Sequence, residues 1–211
     1  IEKGQSKNRA SRIALERGRL TAQLGLVECA FELGHLRKGI SRAELGLRWA
    51  TNSAFVHEQA EFLVWLAELH DTLGEPQVAT IRLNEAKNAI ANIPSTITTT
   101  TSGRPRSHSI AYLRATVYQL SGNVLSRQGK WVEALASLDE GLRYVKYHAE
   151  DLCEECKEST GLQAWIARDR CRLLIRWGRL DEAIAAAKES YNFRLELGQS
   201  LPAVAQHYAY A

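Results

Sequence analysis

The 211-residue chain has no methionine, four prolines, four cysteines and no long uninterrupted apolar run. Each shortage excludes something. Nothing approaches the roughly 18 consecutive apolar residues of a membrane-spanning helix, so no membrane partner is expected. Cys29, Cys153, Cys156 and Cys171 are too few and too scattered for a disulfide framework, and they read as reduced thiols. No secretory leader precedes the charged start "IEKGQSKNRASR", so the expected location is intracellular, in cytoplasm or nucleus. Charge of one sign is also lacking. The 27 basic and 24 acidic residues leave a net +3, which favours solubility but makes nucleic acid an unexpected partner. A start at Ile1 without any methionine reads as a portion of a longer protein.

Strand signals are as scarce as methionine. Alternating apolar and polar runs do not recur, and the Thr-rich stretch from Ile97 has polar flanks. What is present is ordinary globular composition, 45% hydrophobic and 24% charged, arranged at helical spacing. Phe62, Leu63, Leu66, Leu69 and Leu73 form one apolar stripe, and Val132, Leu135, Leu138, Leu142 and Val145 form another. Alanine, leucine, arginine and glutamate fill the positions between, which favours helix further. The expected class is all-α.

Four stretches align on Gly34, Gly74, Gly129 and Gly178. Five residues after each glycine stand Gly39, Ala79, Ala134 and Ala183; twelve after, Gly46, Ala86, Gly141 and Ser190; seven before, Val27, Ala67, Gly122 and Cys171. Val27 is the one residue of these twelve that is not Gly, Ala, Ser or Cys. Antiparallel helices joined by a tight turn need small side chains where their axes come closest, and the turn favours a glycine with a left-handed backbone.

This pattern resembles the tetratricopeptide repeat family, whose units are helix–turn–helix pairs of about 34 residues. "YQLSGNVLSRQGKWVEALASLDEGL", Tyr118 to Leu142, carries the resemblance best. The separations of 40, 55 and 49 residues, and the lack of the family's proline late in the second helix, mark a divergent version with long helices and insertions. The resemblance implies a right-handed α-solenoid of antiparallel helix pairs. The expected organisation is one array over residues 1–211, with pairs near 20–51, 54–92, 109–148 and 159–197. A leading helix runs from about Asn8 to Arg19 and is compatible with continuing into the first pair. A flexible insert at 93–108 and an acidic insert at 149–158 interrupt the array, and "SLPAVAQHYAYA" opens a further helix.

Candidate chemistry is sparse. Cys153-Glu154-Glu155-Cys156 lacks the second ligand pair that zinc needs and the βαβ context of a redox motif, so no metal is expected. The six histidines form no paired motif, and no phosphate-binding glycine loop or nucleophile elbow occurs. Neither a catalytic site nor a cofactor is expected. Arg104, Arg106 and Ser109 fit a basophilic-kinase pattern, while Ser107 or Ser109 equally suits the cap of the next helix.

In tetratricopeptide arrays the first helix of each unit lines the concave face. Carried over, the resemblance places Glu61, Val64, Glu68 and Asp71 on that face in the second unit and Thr116, Gln119, Asn123, Ser126 and Arg127 in the third. In the fourth it places Trp165, Arg168, Arg172, Ile175 and Arg176, so the face grades from acidic to basic. Gln119, Asn123, Arg127, Trp165, Arg168, Arg172 and Arg176 are the candidate partner-binding residues. Arg168 and Arg172, four apart, suit bidentate contacts to carboxylates.

The expected function is therefore a non-enzymatic protein–protein interaction scaffold that takes a peptide or subunit, with an acidic one favoured. The alternative is a regulatory or sensor segment of a larger multidomain protein, by analogy with cohesin loaders, separases or signal-transduction ATPases.

Overall fold

The computed structural model describes residues 2–93, 109–152 and 158–198. The kinase-like motif up to His108, the Cys153–Cys156 motif and the helix expected from Ser200 lie outside the described residues. Within them are eight α-helices and no strand: α1 (Glu2–Glu32), α2 (Leu36–Asn52), α3 (Val56–Thr72), α4 (Pro76–Ala91), α5 (Ile110–Arg127), α6 (Trp131–Tyr147), α7 (Glu158–Trp177) and α8 (Leu180–Glu196). The four expected pairs are α1–α2, α3–α4, α5–α6 and α7–α8. The leading helix and the first helix of the first pair are one continuous α1.

The turn inside each pair is built the same way. Gly34, Gly74, Gly129 and Gly178 have φ of +71°, +79°, +75° and +81°, a region where a side chain is strained. The residue after each glycine donates its N–H to the carbonyl five positions back, as His35 does to Ala30 at 2.8 Å and Arg179 to Leu174 at 2.9 Å. This closure satisfies carbonyls that the ending helix leaves open. Ser109 caps α5, its hydroxyl accepting from the Tyr112 N–H at 3.0 Å.

Small residues sit where the helices touch. A Cβ added at Gly46 would lie 2.2 Å from Phe62 Cζ, and one at Gly122 would lie 2.6 Å from Leu138 Cγ. Ala79, Ala134 and Ala183 are buried, and so is the lone larger residue of the pattern, Val27. Buried Ser190 donates its hydroxyl to the Ala164 carbonyl at 2.8 Å, which ties α8 to α7.

The core does not close around one centre. Phe62, Leu66 and Leu69 pack with residues of α1 and α2; Leu63, Val64 and Ala67 pack with α4 and α5. Farther along, α5, α6 and α7 share a third cluster, and α7 and α8 a fourth that also reaches Leu135 of α6. Each odd-numbered helix also packs against the next odd one, whereas the even-numbered helices meet one another at most marginally. The odd-numbered helices α1, α3, α5 and α7 thus form one continuous layer, the inner layer, and the even-numbered helices the other.

Candidate functional site

The inner layer carries a polar seam centred on Asp169 of α7, a residue only 3% exposed. Gln119 Nε2 and Asn123 Nδ2, both on α5, donate to its Oδ2 at 2.7 and 2.9 Å. Arg168 donates to Oδ1 through Nε at 2.9 Å, with a second guanidinium nitrogen also 2.9 Å from it, and Arg172 lies 3.8 Å away. These donors stand in for the water that burial removes from the carboxylate oxygens.

One helix back, Asp71 of α3 meets Arg127 of α5 at 2.9 Å. Burial raises the Asp71 pKa, and Arg127 pulls it back only in part. Half-buried Glu68 lies between these two ties. Burial first, then the negative charge of Asp169, push its carboxyl up to about 7, with Asp71 and Glu32 adding to the effect and Arg168 opposing it. Burial and the like charge of Arg168 lower the Arg172 pKa, and Asp169 works the other way. The electrostatics thus connect α1, α3, α5 and α7 along one surface.

The seven candidate residues all lie on α5 and α7, but they play different parts. Gln119, Asn123 and Arg168 direct donors to Asp169, and Arg127 holds Asp71. Facing solvent are Trp165, 42% exposed with the Arg168 guanidinium 5.8 Å from its ring centre, Arg127, Arg176 and, beside them on α7, Ile175, 47% exposed. Of the acidic residues expected on α3, Glu61 and Asp71 are buried and Glu68 is half-buried; Glu58 on the same helix is buried as well. Arg17 stands 3.7 Å from Glu58, and His57 stands 3.7 Å from Glu61.

Asp169 is the residue that sequence reasoning passed over. Its equivalents nine positions before the turn glycine are Gly25, Trp65 and Leu120, and Leu120 is buried. A carboxylate in that register must find donors on the neighbouring inner helix, and Gln119 and Asn123 were there to be read.

Among the described residues no group of His, Cys, Asp and Glu side chains is arranged to hold a metal ion, and no helix is long and apolar enough to cross a membrane. No family model, curated protein or solved structure matches the chain.

Proposed function

We propose that this chain is a non-enzymatic protein–protein interaction scaffold, a right-handed tetratricopeptide-like superhelix that holds an extended partner segment along its inner face. The observation that carries this reading is the exposure of Trp165, Ile175 and Arg176 on α7, beside a buried seam in which Asp169 is held by Gln119, Asn123 and Arg168. Exposed aromatic and arginine side chains are the residue types that anchor protein partners. The seam beneath them holds their helices in place, so little ordering entropy is lost on binding.

The internal engagement of Arg168 with Asp169 changes how the reading is tested. Reversing the charge of Arg168 and Arg172 would disturb the seam as well as any partner contact. Trp165→Ala combined with Arg176→Glu leaves the Asp169 donors in place. Partners captured by the wild-type chain should be lost by this double variant while helicity by circular dichroism is unchanged. Capture that survives it, and is lost instead on changing Val132 of the outer helix α6 to Lys, would sink the assignment; Val132 is 69% exposed.

A further inference from the structure

The inner helices carry a charge order that specifies more than a generic peptide groove. Six residues before each turn glycine stand Glu28, Glu68, Asn123 and Arg172; two before it stand Glu32, Thr72, Arg127 and Arg176. Both rows run from acidic on α1 to basic on α7. Glu28, Glu32, Arg127 and Arg176 are exposed. The second row lies along the same surface as the seam, since Glu32 acts on Glu68, and Arg127 and Arg176 both act on Asp71. Inner helices follow one another in contact, α1 to α3 to α5 to α7.

From this order we infer that the inner face binds an extended segment of dipolar charge, laid across the inner helices with its acidic end over α7 and its basic end over α1. This rests on the scaffold reading above and adds the partner's chemistry and direction. Packed helices lie about 8–10 Å apart, so four of them span roughly 30 Å. An extended chain covers that span with about ten residues at about 3.3 Å each. A uniformly acidic segment would place negative charge over Glu28 and Glu32, and a uniformly basic one would meet Arg127 and Arg176; only the dipolar segment is matched at both ends. Complementarity of this kind selects register and orientation more than raw affinity. Exposed Trp165 on α7 gives the acidic end an apolar neighbour.

The test uses the whole chain and a synthetic peptide of about ten residues with a lysine block, a central leucine and a glutamate block. It is compared with a peptide of the same composition in which the charges alternate. The block peptide should bind about tenfold more tightly, the sum of a few exposed ion pairs, and lose that margin in high salt. A photoreactive residue at its glutamate end should label α7, and one at its lysine end α1 or α3. Glu28→Lys with Glu32→Lys and Arg176→Glu, all at exposed positions, should erase the end preference with helicity unchanged. Equal affinity of the two peptides, or labelling of every inner helix from both ends, overturns the charge order and leaves the groove. Failure of either peptide to label any inner helix overturns the scaffold reading and this inference with it.

Discussion

At the residue scale, one hydrogen atom decides how closely α2 approaches α3. Gly46 faces Phe62, which is fully buried, and a methyl group there would lie within 2.2 to 2.8 Å of three ring carbons. The ring has nowhere to retreat, so Gly46→Ala should destabilise the chain by about 1–3 kcal/mol, the usual cost of overpacking. Gly18 of α1 has nothing within 4 Å of its added Cβ, so Gly18→Ala should stabilise by about 0.5–1 kcal/mol through helix propensity alone. Urea unfolding of the two variants should show midpoints moving in opposite directions; a shared direction would refute the close-approach account. Both glycines look alike in composition. Only alignment on the turn glycines distinguishes them, because Gly46 falls in a row with Ala86, Gly141 and Ser190, whereas Gly18 falls in none.

The element scale is where α5 and α7 are joined, and there the seam makes a clear demand. Asp169 accepts from two amides of α5 and from Arg168, so removing its charge leaves Arg168 partly buried beside donors with no acceptor. Breaking such a pair costs about 3 kcal/mol or more. Asp169→Ala should therefore lower the unfolding free energy by about that amount, and the double change Asp169→Ala with Arg168→Leu should recover part of it. No recovery would mean that the two residues act independently. The turns, helix pairs and small-residue contacts were legible in the sequence because they depend on local periodicity and on backbone conformation. The seam was only half legible. Gln119, Asn123, Arg168 and Arg172 could be placed on inner helices, but whether an arginine points at solvent or at a neighbouring carboxylate depends on inter-helix register, which a single sequence does not display.

Across the whole molecule, the ionisation of Glu68 links the inner layer to pH. Its carboxyl titrates at about 7 in the folded chain against an ordinary 4.5. Between those values the folded state keeps a proton that the unfolded chain has released, so stability from this group falls as pH rises through that window and then levels off. Asp71, also raised by burial, contributes with the same sign. The wild-type denaturation midpoint should decline from about pH 5 to about pH 7.5, and Glu68→Gln should flatten that decline. A slope that Glu68→Gln leaves unaltered would place the titration elsewhere.

The overlapping apolar clusters have a kinetic consequence. Each joins helices that are neighbours in the chain, so few contacts must wait for distant segments to meet. Chains with that property fold quickly, and order can start in any hairpin and spread to the next. During synthesis, α1 to α3 can therefore consolidate before α7 and α8 emerge.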